Sequence, residues 1–259
     1  MTVFPTRRAE LVEAPIPDSP VPRAELDEWR ERFGLVAGIT QRGAGVPFSV
    51  GLSAADPAEQ VSARLRAFRA AMRPGFDALQ MAHQVHGNEV VWHERVAPGW
   101  HVRDDVDGHG TAQAGLLLAV TVADCVPVYL AARDGRATAL VHAGWRGTAA
   151  GILEMGIELL RRRADVTAPD VVVHCGVAIC GKCYEVGPEV IAAVEGRTVK
   201  GPTLLDLRRA LARRAEAAGA REISVSPLCT SCDRDRFFSH RGSGGDGGRQ
   251  IAYLGKPVA

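Results

Sequence analysis

The chain has 259 residues, of which 46% are hydrophobic, so it can bury a sizeable core as a single domain. Its 31 basic and 30 acidic residues leave a formal net charge of +1, which excludes the basic excess typical of nucleic-acid or anionic-membrane binders. No apolar run is long enough to span a membrane, and residues 1–22 lack the apolar centre of a signal peptide, which predicts a cytoplasmic protein.

Prolines recur through residues 1–22, which are predicted to be a flexible lead-in to one catalytic domain of residues 23–259. Helical patterns are found at residues 23–33, 57–73, 149–163 and 204–218. The second of these helices has the clearest start, because Asp56 can cap it and Pro57 suits its first position. Strand-like runs are found at residues 89–93, 116–122, 126–131, 137–141, 171–175, 223–225 and 251–254.

The order of these elements indicates the fold class. The strands between residues 116 and 142 follow one another with short links and do not alternate with helices. This order favours an α+β fold, with a mixed β-sheet core and flanking helices, over a doubly wound fold. Several strands are too apolar to alternate polar and apolar residues, which predicts sheets that are covered on both faces.

Three segments place a metal-binding side chain at or near a strand end. His86 precedes the strand at 89–93, Cys125 interrupts the apolar run VTVADCVPVYL, and His142 ends ALVH. Two imidazoles and one thiolate suit zinc, and three protein ligands leave a fourth position for water or substrate, as in catalytic sites. The spacing is equally compatible with a buried thiol and two core histidines, so both interpretations stay open at this point.

The six cysteines include two CxxC pairs, Cys180 with Cys183 and Cys229 with Cys232. In a reducing compartment these are expected to be thiols or metal ligands, not disulfides. Two such pairs can close a four-thiolate site for a second, structural metal. The 46 residues from Cys183 to Cys229 exceed the usual zinc-ribbon spacing, so buried or partly exposed thiols are the alternative.

Several motifs in one order resemble the YfiH/PgeF family, also called laccase-domain or polyphenol-oxidase-like proteins and peptidoglycan editing factors. The motifs are QVHG (84–87), ADCVP (123–127), HAGWRGT (142–148), CYEVG (183–187), FFSHR (237–241) and GRQ (248–250). The resemblance implies that His86, Cys125 and His142 hold a catalytic zinc. It also implies a purine nucleoside phosphorylase that acts on adenosine, inosine and S-methyl-5'-thioadenosine with phosphate, and that deaminates adenosine.

Phosphorolysis needs an anion site beside the metal. Arg146 is the first candidate, because it lies in a predicted turn between His142 and a helix that Thr148 would cap. The free N–H groups at a helix start favour an anion. Further candidates for binding substrate or phosphate are Arg42, Arg241 and Arg249.

Asp124, next to Cys125, has two interpretations. It is a structural hydrogen-bond acceptor if it points away from the metal, and a catalytic proton carrier or histidine partner if it faces the cleft. The chain also departs from the family pattern, with Val50 in place of an asparagine and His240 in place of a tyrosine. Both departures are predicted to border the substrate.

Other functions remain open. The same site could serve an amidase that edits a peptidoglycan precursor, UDP-MurNAc-L-Ser. A copper-dependent polyphenol oxidase (laccase) is disfavoured, because the eight histidines include no His-x-His pair, although copper could occupy the site adventitiously. A metal-free cysteine hydrolase would use Cys125 as nucleophile and His142 as base, and a non-enzymatic binding module would show no turnover. Nothing in the sequence indicates an oligomeric state.

Overall fold

The computed structural model describes residues 12–13, 21–44, 47–51, 57–245 and 247–258. The predicted lead-in of residues 1–22 lies mostly outside these ranges, and so does the predicted helix cap Asp56. The division into a lead-in and one catalytic domain therefore stays a prediction. Within the described ranges, no helix is both long and apolar enough to cross a membrane.

The described residues form fifteen strands and six α-helices. The strands are β1 (Val12–Glu13), β2 (Arg23–Glu25), β3 (Val36–Thr40), β4 (Ala78–His83), β5 (Val90–His93), β6 (Gly99–Asp104), β7 (Gly108–Thr111), β8 (Leu116–Val122), β9 (Val126–Ala132), β10 (Thr138–Ala143), β11 (Val171–Cys175), β12 (Glu185–Val186), β13 (Thr203–Leu204), β14 (Glu222–Val225) and β15 (Gln250–Gly255). The helices are α1 (Asp27–Phe33), α2 (Ala58–Met72), α3 (Trp145–Ala149), α4 (Ile152–Ala164), α5 (Pro188–Glu195) and α6 (Leu207–Ala217), with a short 3-10 helix at Ala168–Asp170.

The strands form two large mixed sheets. The seven-stranded sheet has the order β1-β2-β3-β15-β8-β4-β6, and the six-stranded sheet has the order β14-β11-β9-β10-β7-β5. Strand β4 is parallel to β6 and β8, β5 is parallel to β7, and β11 is parallel to β14. The other pairs are antiparallel, including the separate pair of β12 and β13. The predicted α+β fold with a mixed sheet core is confirmed.

The two large sheets pack face to face, and helices cover their outer faces. Leu118 of β8 meets Tyr129 of β9 and Leu140 of β10 in the layer between the sheets. Phe68 of α2 packs on the outer face of the seven-stranded sheet, and Ile157 of α4 on that of the six-stranded sheet. The molecule therefore has four layers, helix, sheet, sheet and helices.

Strand β8 shows why these strands have no polar face. Its even-numbered residues Leu116, Leu118, Val120 and Val122 lie in the layer between the sheets. Its odd-numbered residues Leu117 and Ala119 lie under α2. Because successive side chains of a strand point to opposite faces, a strand covered on both sides is apolar on both. Thr121, near the end of β8, is the one polar side chain and bonds to Gln84. The prediction of doubly covered sheets is confirmed.

Most predicted helices and strands are confirmed within a few residues, and the exceptions have local causes. Residues 23–25 pair with β3 as a strand, so the first helix starts only at Asp27. The helix predicted at 149–163 is observed as α4, which begins only at Ile152, because Gly151 before it has a left-handed φ of 88°. Helix α2 begins at Ala58 with Pro57 as its N-cap, one position later than predicted. Strand β7 reads Gly-His-Gly-Thr, which carries no strand pattern, and forms between β10 and β5.

His174 is buried on β11 between the sheets and leads to a prediction of acid sensitivity. Its Nδ1 lies 2.8 Å from Ser224 Oγ, and its ring lies 5.7 Å from that of Tyr129. Burial lowers the pKa of His174 from 6.5 to about 4. The unfolded chain therefore binds this proton more tightly than the folded protein. The associated stability is complete above pH 6.5 and is lost as the pH falls towards 4, by about 2 kcal/mol at pH 5.

Urea unfolding at pH 7 and pH 5 measures this loss. The His174→Gln variant is expected to be less stable than wild type at pH 7, but to lose less stability between the two pH values. His83→Gln is the matched control, because the His83 side chain is 75% exposed. A pH dependence of His174→Gln equal to that of wild type would contradict the prediction.

Candidate metal centre

Three side chains of types that can bind a metal meet where the chain crosses from one large sheet to the other. His86 follows β4, Cys125 lies in the link between β8 and β9, and His142 is on β10 opposite Pro127. One ligand atom of each lies within 4.8 Å of the others. His142 is buried, Cys125 is partly buried and His86 is exposed, so the cluster opens to solvent on the His86 side.

The turn that carries His86 is held by side-chain hydrogen bonds. Gln84 donates to the Thr121 carbonyl at 2.9 Å and accepts from the Thr121 N–H at 2.7 Å, which fastens the turn to β8. Asp107 accepts hydrogen bonds of 3.1, 3.0 and 2.7 Å from the backbone N–H groups of Val85, His86 and Gly87. These bonds hold His86 at a φ of 60°, which is uncommon for a residue other than glycine.

Asp107 also orients His142. Its Oδ1 lies 2.8 Å from His142 Nδ1, and its carbonyl accepts the His142 N–H at 2.7 Å. Burial would raise the pKa of Asp107, but the hydrogen bonds from His142 and the Gly87 N–H lower it, so the carboxylate stays ionised. An ionised acceptor at Nδ1 leaves Nε2 free to face the cluster, which is typical of metal-ligating histidines.

Two glycines allow the three segments to approach closely. A Cβ at Gly144 would lie 3.1 Å from both Cys125 Sγ and His86 Cδ2. A Cβ at Gly147 would lie only 2.6 Å from the carbonyl oxygen of Gly87. The HAGWRGT segment therefore needs glycine at these positions to pack against the other ligand-bearing segments.

The Cys125 thiol and the His142 ring shift each other's pKa. Burial would raise the pKa of the Cys125 thiol, but the charge of His142 and hydrogen bonds from both histidines lower it. Burial would lower the pKa of His142, but the neighbouring Cys125 and Asp107 raise it. A thiolate and two imidazoles within this distance are a donor set that zinc accepts, so the residues could hold a metal here.

Tyr184 interacts electrostatically with Cys125 of the cluster and with two arginines. The Arg241 guanidinium lies 5.4 Å from the Tyr184 ring and donates to the Glu185 carbonyl at 2.8 Å. Burial and the charge of Cys125 raise the pKa of Tyr184 to about 12, while Arg241 and Arg146 act in the opposite direction. Tyr184 is therefore a neutral phenol at pH 7, within electrostatic reach of the cluster and of both arginines.

The prediction of a turn at Arg146 and a cap at Thr148 is wrong. Helix α3 begins at Trp145, directly after the extended Gly144, so Arg146 is already helical. The Arg146 guanidinium lies 4.5 Å from the Trp145 ring and is exposed. Thr148 is buried inside this helix, and its N–H donates to the Gly144 carbonyl at 2.8 Å. Thr148 does not cap the helix, because β10 passes into α3 through Gly144 alone.

Asp124 is buried, and both of its carboxylate oxygens accept hydrogen bonds. Oδ1 accepts from the Thr230 hydroxyl at 2.5 Å, and Oδ2 accepts from the Arg241 N–H at 2.6 Å. The candidate ligand His142 is partnered by Asp107 instead. This bonding favours the interpretation of Asp124 as a structural acceptor next to Cys125, and its catalytic role stays a prediction.

The other two predicted substrate arginines lie in different surroundings. Arg42 lines a cavity of about 430 Å³ together with Arg234 and Ser239, and its guanidinium lies 5.4 Å from the Phe238 ring. Arg249 Nη1 donates to the carbonyls of Gly247 and Gly248 at 2.8 and 3.0 Å. Arg42 therefore lies at a separate cavity, and the Arg249 side chain is hydrogen-bonded to its own loop.

The four cysteines of the two CxxC pairs form a second group. The sulfurs of Cys180, Cys183, Cys229 and Cys232 lie within 4.8 Å of one another. All six cysteines of the chain are free thiols in the structure. In the part of the chain that the structure describes, these two groups are the arrangements of side chains that could hold a metal.

The same two-sheet architecture occurs in solved structures. Over 95% of this chain and 99% of the other, the fold superposes on YlmD from Geobacillus stearothermophilus with a TM-score of 0.82 and 30% identity. YfiH from Bacillus licheniformis gives a TM-score of 0.81 and 28% identity, over 92% of this chain and 97% of that one.

Residues 36–256 match the family described as multi-copper polyphenol oxidoreductase laccase, and the chain belongs to this family. Its relatives include the purine nucleoside phosphorylase YlmD of Geobacillus stearothermophilus, which is 34% identical over 86% of this chain and 90% of that protein. A purine nucleoside phosphorylase of Corynebacterium glutamicum is 31% identical over 88% of this chain and 94% of that protein. The resemblance to the YfiH/PgeF family is confirmed.

Asp107, Gln84 and Tyr184 are parts of this site that the sequence did not predict. Gln84 and Tyr184 lie inside the family motifs QVHG and CYEVG. Their position in these motifs is the sequence signal that could have identified them. Asp107 lies in DVDGHG, outside every motif. A search for a carboxylate partner of each ligand histidine is the rule that would have led to it.

Proposed function

We propose that this chain is a zinc-dependent purine nucleoside phosphorylase that acts on adenosine, inosine and S-methyl-5'-thioadenosine and also deaminates adenosine. The observation that carries the proposal is the cluster of His86, Cys125 and His142, with Tyr184 in electrostatic reach of Cys125, Arg146 and Arg241. Relatives named purine nucleoside phosphorylase support the same activity. The cytoplasmic location predicted from the sequence is part of this proposal.

The three-ligand cluster supports a catalytic centre. Three protein ligands leave a position for substrate, and the exposed His86 side gives access to it. When bound, zinc would supply a Lewis acid that polarises a substrate oxygen. Asp107 keeps His142 in the orientation that this ligand set requires.

The arginines and the tyrosine support a phosphate site next to the cluster. Guanidinium groups form charge-assisted hydrogen bonds with phosphate, so Arg146 and Arg241 would bind and orient the phosphate dianion. The neutral phenol of Tyr184 would donate a hydrogen bond to a phosphate or substrate oxygen. Arg42 and Arg249 would bind more distant parts of the substrate.

In phosphorolysis, a phosphate oxygen forms a bond to the anomeric carbon of ribose while the bond from that carbon to the purine nitrogen breaks. The purine leaves with one proton, and ribose 1-phosphate is the other product. In deamination, water replaces the amino group of adenosine, and the products are inosine and ammonia. The phosphate site is needed only for the first reaction, so the two activities can be separated experimentally.

The first experiment pairs metal analysis with product analysis. Protein purified without added metal would be assayed for zinc and then incubated with adenosine, with and without phosphate. Adenine and ribose 1-phosphate are expected only with phosphate, and inosine is expected in both cases.

The other outcomes would overturn the proposal in distinct ways. If the protein contains zinc but does not convert adenosine, amide hydrolysis of UDP-MurNAc-L-Ser would be favoured. Copper with oxidation of a phenol would favour a polyphenol oxidase. Turnover of an ester or amide without any metal would favour a cysteine hydrolase that uses Cys125.

Replacing Arg146 by alanine is expected to raise the KM for phosphate by about tenfold or more, because one charge-assisted hydrogen-bond donor is lost. Zinc content and adenosine deamination are expected to change little. Steady-state kinetics at varied phosphate measures the effect. Arg161→Ala is the matched control, since Arg161 is exposed on α4 and pairs with Glu158 at 2.7 Å. The same KM in Arg146→Ala and Arg161→Ala would remove Arg146 from the phosphate site.

A further inference from the structure

The two CxxC pairs meet on loops that are far apart in sequence. The first pair follows β11, and the second lies between β14 and β15. An isolated parallel bridge joins Ala178 to Cys229, and the Thr230 N–H donates to the Ala178 carbonyl at 3.2 Å. This backbone bridge joins the two loops independently of any contact between the sulfurs.

The sulfur positions match those around one tetrahedral ion. Cys183 Sγ lies 3.4 Å and Cys180 Sγ 4.0 Å from Cys232 Sγ, and all four sulfurs lie within 4.8 Å of one another. Four sulfurs bonded to one zinc at about 2.3 Å are about 3.8 Å apart in a regular tetrahedron. The spacing therefore suits a single ion.

Backbone N–H groups point towards two of the four sulfurs, those of Cys180 and Cys229. The Cys180 N–H donates to Cys229 Sγ at 3.2 Å. The N–H groups of Lys182 and Cys183 also approach Cys180 Sγ. The first pair is a tight turn, in which the Cys183 N–H donates to the Cys180 carbonyl at 3.0 Å. Donors of this kind stabilise thiolates, which are the form of cysteine that binds metals.

Ordinary burial does not explain this cluster. Cysteine in a core is usually a small buried hydrophobic residue, as Cys175 is on β11. In the cluster, only Cys229 is buried, Cys180 and Cys183 are partly exposed, and Cys232 is exposed. Four thiols gathered around one point, three of them open to solvent, are not explained by packing, so the arrangement points to a ligand.

We infer that Cys180, Cys183, Cys229 and Cys232 together bind one zinc ion, at a structural site separate from the catalytic centre. Four thiolates complete a tetrahedral zinc shell and leave no position for substrate. Thiolate ligands disfavour magnesium and calcium, which prefer oxygen. Each thiol gives up its proton on binding, so the loaded site carries a net charge of about −2.

The site would fasten two loops that build the catalytic centre. Cys183 directly precedes Tyr184, which lies beside Arg241. Cys229 directly precedes Thr230, whose hydroxyl donates to Asp124, the neighbour of Cys125. A metal that joins the two pairs therefore fixes the distance between the Tyr184 loop and the Asp124 turn.

Zinc analysis of wild type and variants tests this inference without reference to any substrate. Wild type purified without added metal is expected to carry about two zinc ions per chain, and Cys183→Ser and Cys232→Ser about one each. The matched control Cys175→Ala, which replaces a thiol outside the cluster, is expected to keep both. About one zinc in wild type that is unchanged in Cys183→Ser would overturn the site. A Cys183–Cys232 disulfide in the freshly purified protein, seen as a mass lower by two hydrogens, would also overturn it.

Wild-type protein provides a second test in case a variant does not fold. A mercurial thiol reagent is added stepwise, and released zinc is followed with a coloured indicator. The exposed Cys232 and the partly exposed Cys180 and Cys183 are expected to react, and one zinc is expected to be released as the thiols of the cluster are modified. Reaction of these thiols without zinc release would contradict the proposal.

Thermal unfolding and proteolysis test whether the metal holds the two loops together. Cys183→Ser is expected to lower the thermal midpoint by about 5 °C or more relative to Cys175→Ala, and to expose the loops at 180–184 and 229–241 to proteolysis. Loss of one zinc with unchanged stability and unchanged cleavage would disprove the fastening role.

Discussion

Replacement of His142 by alanine is expected to abolish nucleoside turnover, with a loss of at least about a thousandfold, and to remove one zinc ion per chain. His142 is the buried member of the cluster and the ligand whose orientation Asp107 determines. Its loss leaves only Cys125 and the exposed His86, which are too few to retain the ion at assay concentrations. Elemental analysis and phosphorolysis of adenosine measure the two effects.

The same result is expected for His86→Ala and Cys125→Ala, because each removes one of three ligands. His83→Ala is the matched histidine control, since His83 is exposed on the same segment and pairs with Asp104 at 2.6 Å. Normal turnover in any one of the three ligand variants would exclude that residue from the ligand set. Loss of turnover with both zinc ions retained would instead point to direct catalysis by Cys125.

Replacement of Asp107 by asparagine is expected to weaken zinc binding at the catalytic centre by about 10–100-fold, the range for partners of metal-ligating histidines. Asparagine keeps the shape of the aspartate side chain, but it lacks the negative charge that holds His142 Nδ1 in its N–H form. The three backbone N–H groups at 85–87 also lose an anionic acceptor. Competition with a chelator of known affinity measures the zinc dissociation constant.

Asp104→Asn is the matched control for this variant, because Asp104 is an exposed carboxylate on the neighbouring strand β6 that bonds only to His83 among the contacts described. The Asp104→Asn variant is expected to bind zinc with wild-type affinity. Excess zinc is expected to restore much of the activity of Asp107→Asn, but not that of His142→Ala. Equal zinc affinity in Asp107→Asn and wild type would show that Asp107 serves the fold and not the metal.

Local patterns account for the parts of the fold that were predicted correctly. The run at 116–122 became β8 with the predicted ends, because a segment with six apolar side chains out of seven is stable only when both faces are covered. Helix α4 was displaced because Gly151 adopts a left-handed conformation between it and α3. Strand β7 was missed because its neighbours, not its own residues, make it a strand.

The sequence by itself determined the kinds of ligand, the α+β class and the family, because residue types and their order along the chain carry this information. Only the tertiary structure decided which polar groups meet. Asp107 and His142 are 35 positions apart, and Asp124 and Thr230 are 106 positions apart. Such contacts follow from sheet pairing and loop crossing, which no local pattern encodes. The partners of His142 and Asp124 therefore became visible only when the two sheets were packed together.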